Sequence, residues 1–225
     1  GINVKNLVVE YFYNGIILSD SVNNVISDNI SKNNWSSQIV LANSNDNIVS
    51  NNVLTGLGSS PYGILVGGPN NIIDNNTVTL NGNGIRILSN DAIISNNIGK
   101  NNEIGIDGYI NSLIKENTVK NNSVMGIHLG WSIDGSTVEN NIISNNELGL
   151  NLYGTNLIAF DNEISNNNLG LQLGHHASVY HNNLISNTIE AKMTQSSIAS
   201  FDNNFHQQNG NYWSDYSPNC SDQNN

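Results

Sequence analysis

Three side chains able to take part in proton chemistry recur at one spacing: Arg86, Asp107 and His128, each 21 residues from the next. A lyase or epimerase working on a uronate uses a cation to neutralise the carboxylate and a His or Tyr to carry the proton. Glycoside hydrolysis needs two carboxylates facing one sugar, about 5–9.5 Å apart. The positions in step with the trio are Leu65, Asn151, Gln172 and Lys192, so the column holds one acid, Asp107. A second series, four or five residues past a recurring glycine, reads Leu88, Tyr109, Trp131, Tyr153 and His175. Stacked in space, these would form an aromatic strip. Such a strip either shields strand edges or offers ring faces to the apolar side of a sugar. The same trio also reads as a polar solvent face with no catalytic task.

Metal chemistry is poorly served. The histidines are His128, His175, His176, His181 and His206, and the methionines Met125 and Met193 have no cysteine near them. Adjacent His175 and His176 would point to opposite faces of a strand. Copper favours clusters of His, Cys or Met, and no acid-rich calcium loop is present. The expectation is no metal site and no cofactor.

These spacings carry meaning because the whole chain repeats. An Asn ending an Asn-Asn or acidic-Asn pair returns at Asn29, Asn52, Asn76, Asn97, Asn117, Asn141, Asn162, Asn183 and Asn204, at intervals of 20 to 24 residues. A glycine followed by an aliphatic residue marks another point of the unit, from Gly63-Ile64 through Gly170-Leu171. A period this long denotes a solenoid. Within one unit, Ile85 and Ile87 alternate with Arg86 as in a strand. Ser89 to Asp91 supplies turn chemistry. Ala92 to Ser95 is a second short strand, and Asn96-Asn97 a corner. Ile98 opens a third. Asn and Ser disfavour helix interiors, and Ile and Val favour strands. The sequence therefore predicts an all-β parallel β-helix of 21–24 residues and three short strands per coil. Ile64, Ile85, Ile106, Ile127, Leu150 and Leu171 would fill the bore. The Asn column would form a ladder of side-chain amides between coils. A second ladder is expected four residues on, at Asn33, Asn101, Asn121, Asn145, Asn166 and Asn187.

Residues 1–216 read as one domain, with an aromatic cap over about 205–216 and a flexible tail at 217–225. No comparable cap is seen at the start, so either sequence precedes Gly1 or another subunit stacks there. Cys220, the one cysteine, is either an inert tail thiol or a link between chains. The net charge of −11, with 7 basic residues against 18 acidic, leaves no basic stripe for phosphates, so a nucleic-acid partner is excluded. No run approaches the ~18 apolar residues of a membrane span.

The units Gly-Ile-x-Leu followed by Asn-x-Ile-x-x-Asn-Asn resemble the right-handed parallel β-helix repeats of NosD-like proteins. They are also similar to a repeat type found in carbohydrate-binding proteins and sugar hydrolases. The closing Gly210-Asn211-Tyr212-Trp213-Ser214-Asp215-Tyr216 resembles the end of the β-helix in archaeal cell-surface proteins of that group. The resemblance covers about residues 1–216 and implies right-handed coils. It also implies a group that spans copper-associated periplasmic proteins, polysaccharide lyases and epimerases, and non-enzymatic surface proteins. The paired-Asp and Gly-His-Gly motifs of polygalacturonase-like enzymes are missing. These readings lead to an extracellular or cell-surface structural protein that associates with itself in a layer, sheath or fibre. The alternatives are a carbohydrate-binding module or polysaccharide lyase or epimerase, and an accessory copper-handling role in the periplasm.

Overall fold

Most repeats fold as one coil of three short strands joined at three corners, and in two coils a single strand, Val53–Val66 or Thr77–Ile87, runs through both the second and third sheets. The structure, a computed structural model, describes residues 1–109, 111–130, 135–174, 177–194, 199–200 and 211–213. In one coil, Ala92–Ser95 lies in a first sheet, Ile98–Lys100 in a second and Ile104–Gly108 in a third. Every pairing between coils is parallel, as in Ile94 with Ile114, Gly99 with Val119 and Ile106 with Ile127. The first sheet has ten strands, and no helix occurs among the described residues. The architecture is a right-handed parallel β-helix. Ile64, Ile85, Ile106, Ile127, Leu150 and Leu171 sit on one line inside the bore, fully buried. No single coil encloses its own apolar face, so stability resides in contacts between neighbours.

An asparagine ladder runs along the corner between the first and second sheets. The side-chain oxygen of each rung accepts from the backbone N–H of the rung before it. The series passes from Asn29 through Asn52, Asn76, Asn97, Asn117, Asn141 and Asn162 to Asn182 and Asn211, at 2.9–3.0 Å. The eighth rung is thus Asn182 and not Asn183, which lies exposed in the second sheet. Asn204 lies outside the described residues. The cause is backbone phase. From Asn29 to Asn182 the residue before each rung turns the corner in the left-handed region, and at the last of these coils that residue is His181, with φ of 56°. The second ladder shows the same phase. Asn33, Asn101, Asn121, Asn145 and Asn166 take the left-handed corner. The rungs are their successors Asn34, Asn102, Asn122, Asn146 and Asn167, with Asn187 closing the series.

The repeat glycine has a close-packing cause. A Cβ on Gly105 would stand 2.7 Å from the carbonyl oxygen of Gly126 and 2.9 Å from the Asn122 amide nitrogen. Of the expected cap, 211–213 are described, and Tyr212–Trp213 extends the second sheet beside Asn183 and Leu184. Cys220 and the tail lie outside the described residues.

Candidate functional site

Strand alternation sends Ile85 and Ile87 into the bore and Arg86 outward, and the parallel register repeats this in each coil. Arg86 pairs with Asp107, Asp107 with His128, His128 with Asn151, Asn151 with Gln172 and Gln172 with Lys192. The third sheet therefore carries one outward polar column with rungs about 4.8 Å apart. The head of the same strands supplies a neighbouring column of Asn83, Ile104, Met125, Leu148 and Leu169. On the other side, backbone hydrogen bonds set Leu88, Gly130, Tyr153 and Gly174 each at the residue after the strand. Tyr109 holds that place after Gly108.

That third column holds the two described tyrosines of the expected aromatic strip, Tyr109 and Tyr153. The register puts Gly130 and Gly174 in line with Tyr109 and Tyr153. Trp131 and His175 themselves lie outside the described residues. The glycines make room for rings of the preceding coil. A Cβ on Gly130 would be 3.0 Å from the Tyr109 ring, and one on Gly174 would be 2.9 Å from the Tyr153 backbone. Among the described residues, ring and glycine alternate along this column.

Asp107 is the centre of the site. It is 1% exposed, and its Oδ2 accepts from an Arg86 guanidinium nitrogen and from the Asn83 amide, the latter at 2.6 Å. The Arg86 guanidinium lies over the Tyr109 ring, 4.3 Å from its centroid, a cation–π contact that also fixes the ring. His128 meets the edge of the same ring, centroids 6.3 Å apart. Burial, and then the Arg86 charge, hold the His128 imidazole below its ordinary pKa. The Asn151 amide points its nitrogen at the Met125 sulfur, 3.9 Å away.

Four side-chain atoms here are buried with no hydrogen-bond partner among the described residues: Arg86 Nε, Asp107 Oδ1, His128 Nδ1 and Asn151 Oδ1. Two others exist elsewhere, on Asn81 and Ser112. Buried polar atoms are normally paired, and a cluster left open calls for a specific account. Four on four successive rungs, with the Tyr109 ring against Arg86 and His128, give this face of the third sheet, the candidate groove, a set of buried donors and acceptors. Sequence reasoning placed Arg86, Asp107 and His128 together, as the structure does. It assigned no role to Asn83, Met125 or the two glycines. Asn83 carried a signal, since it stands before a repeat glycine three residues ahead of Arg86.

The family described as periplasmic copper-binding protein (NosD) matches residues 1–112 and 89–218. The chain belongs to the NosD family. No curated protein matches it. Among solved structures, this NosD-family chain is similar to the A-module of the Azotobacter vinelandii mannuronan C-5 epimerase AlgE4. Their TM-score is 0.76 at 16% identity, over 88% of this chain and 63% of that one. It is also similar to a tailspike protein of an E. coli bacteriophage, solved with a pentasaccharide. That match has a TM-score of 0.73 at 12% identity, over 85% of this chain and 45% of the other. A third is an α-1,3-glucanase catalytic domain solved with tetrasaccharides, with a TM-score of 0.74 at 17% identity over 94% and 49%. The chain spans less than two thirds of each of these structures, and at such identities the likeness is one of fold.

The groove does not fit the copper that the family description names. A cation at Asp107 would meet the fixed charge of Arg86, which already occupies Oδ2. Among the described residues, no three His, Cys, Asp or Glu side chains gather to hold a metal. Nor does any helix among the described residues have the length and apolarity to cross a membrane.

Proposed function

We propose that this protein is a saccharide-binding β-helix whose third sheet holds a neutral sugar chain along Arg86, Asp107, His128 and Asn151. The supporting observation is the run of four buried polar atoms, without hydrogen-bond partners among the described residues, on consecutive rungs. A pyranose presents hydroxyls that both donate and accept, and an apolar C–H face suited to rings such as Tyr109 and Tyr153. Binding sites of this kind combine apolar walls with a few placed polar groups. Neutrality of the ligand follows from the charges. The Arg86 cation is spent on Asp107, and His128 is disposed to stay uncharged near pH 7 because its pKa is lowered. That balance supports binding over uronate chemistry, and the single carboxylate of the column gives no support to hydrolysis. The saccharide ligands of the solved neighbours and the periplasmic description of the family support a place outside the cytoplasm, at the envelope or cell surface.

Calorimetric titration with neutral and uronic hexasaccharides tests the proposal. Neutral oligomers should bind, and Asn151→Ala and Tyr109→Ala should each weaken binding about tenfold, or ~1.4 kcal/mol. Uronates binding more tightly than neutral sugars, or variants binding as the wild type does, would overturn it.

A structural, self-associating role has its own support. Two outward columns on the other sheets are aliphatic: Val25, Ile48, Ile72, Ile93 and Leu113 on the first, and Val8, Ile30 and Val53 on the second. Ile30, Ile48 and Val53 are exposed, and exposed apolar stripes serve contact between proteins. Sedimentation over a wide concentration range decides this reading, and a monomer throughout would remove it.

A further inference from the structure

The edge between the second and third sheets begins with segments 11–15, 33–36, 56–61, 80–82, 101–103 and 121–124 and continues through 145–147, 166–168 and 186–188. In the first coils it is aromatic and exposed. Tyr11 is 70% exposed, Phe12 60%, Tyr13 74% and Trp35 71%, with Leu57 and Leu80 exposed beyond them. The two aromatic coils are in direct register, since Trp35 N–H donates to the Phe12 carbonyl at 2.9 Å and Ser36 N–H to that of Tyr13 at 2.7 Å. A contiguous patch of this kind marks a contact surface.

Backbone geometry singles out the same edge. Its left-handed corner falls to Asn33, Asn101, Asn121, Asn145 and Asn166 in most coils, and to Tyr11 (φ 64°) and Leu80 (φ 59°) in two. Asn tolerates that conformation, whereas bulky residues there are outliers, and such outliers concentrate at functional sites. Next to Leu80 the edge opens into a cavity of about 290 Å³ lined by Gly58, Asn81, Asn102, Glu103, Asn121 and Ser123. Asn81 is 1% exposed, and its Oδ1 is buried without a partner among the described residues. The preceding coil offers Gly56 at this level, whose Cβ would sit 2.9 Å from the Asn81 amide carbon. The ladder is interrupted there, and Asn81 Oδ1 lies buried against Gly56 while the Asn81 residue lines the cavity.

We infer that this edge is a second saccharide site, distinct from the third-sheet groove. Ring faces of Tyr13 and Trp35 hold sugar residues, and the amide-lined cavity beyond Leu80 takes the hydroxyls of a further unit. The occupant is an extended neutral polysaccharide. The aromatic platform matches its C–H faces, and the cavity walls are amides and a hydroxyl with one acid, Glu103. No cation lines the cavity to attract a uronate.

The test is titration of cellohexaose and of chitohexaose, with tryptophan fluorescence alongside calorimetry. Wild type, Trp35→Ala, Ser123→Ala and Tyr109→Ala are compared, with circular dichroism confirming each fold. The wild type should bind two oligomers per chain. Trp35→Ala should weaken one of the two at least about tenfold, the loss expected of a central aromatic anchor. Ser123→Ala should weaken that same site, and Tyr109→Ala the other. One oligomer per chain, lost in Tyr109→Ala and untouched by Trp35→Ala, overturns the edge site and leaves the groove standing. The converse pattern leaves the edge standing and removes the groove. No binding of either sugar, or a Trp35→Ala variant that only abolishes a dimer of the wild type, overturns the edge site.

Discussion

Asn140 and Asn141 are neighbours of one type with opposite tasks, and replacing each in turn measures what a ladder rung is worth. Asn140 turns the corner with φ of 55° and is exposed. Glycine accepts that conformation, so Asn140→Gly should move stability by no more than about 0.5 kcal/mol. Asn141 is 1% exposed. Its oxygen accepts from the backbone N–H of Asn117 at 2.9 Å and from the Asn117 amide at 3.0 Å. Its nitrogen donates to the carbonyls of Ile114 and Glu139 and to Asn162 Oδ1, each at 2.9 Å. In Asn141→Ala the Asn117 amide keeps two carbonyl partners, but the Asn117 backbone N–H is stranded. One stranded buried donor costs about 1–3 kcal/mol, and the lost bonds to two carbonyls add about 1 kcal/mol each. The expected loss is about 3–5 kcal/mol, or roughly 10 °C in Tm for a chain of this size. Urea unfolding followed by far-ultraviolet circular dichroism reads both variants. Equal losses at the two positions, or a loss under about 1 kcal/mol for Asn141→Ala, would refute the claim that the amide column holds the coils together.

Two further predictions concern the groove. Gly174→Ala places a Cβ 2.9 Å from the Tyr153 Cα, which is backbone and cannot step aside, while Gly130→Ala meets the Tyr109 ring at 3.0 Å. Thermal unfolding should show a loss of about 1–3 kcal/mol for the first, as for other overpacked sites, and a smaller one for the second; the reverse order would contradict the described packing. His128, whose pKa is lowered by burial and by Arg86, resists protonation in the folded state more than in the unfolded chain. Its contribution to stability is therefore complete above the unfolded value of about 6.5 and declines as pH falls toward its lower folded value. His128→Gln should lessen the drop in urea midpoint between pH 7.5 and pH 5, and an unchanged drop would show that other groups carry the acid sensitivity.

The architecture could be read from the sequence because a coil near 21 residues sets like positions over one another. The stacked bore residues and the order Arg86, Asp107, His128 follow from that alone. What escaped was phase at single-residue precision. Asn suits both the left-handed corner and the inward rung, so an Asn-Asn pair does not reveal which member does which. At 181–183 the corner is a histidine, and the rung moves back to Asn182. The glycines of the third column were missed for a related reason. Matching ring to ring passed over Gly130, which the register sets in line with Tyr109 and which leaves room for that ring. The open polar atoms of the groove lay beyond sequence altogether, since whether Asp107 Oδ1 finds a partner is a matter of distances between coils.

The successive ladder rungs of the first corner are separated along the chain by 20, 21, 23 or 24 residues, and by 29 between Asn182 and Asn211. Each amide answers only to the one above it, so the vertical bonding is indifferent to the contour length of the turn between. Peptide can be spliced into the bends without disturbing the stack. A scaffold of this kind is a mounting rail: recognition loops of different size can be fitted at chosen heights while the rail itself stays straight.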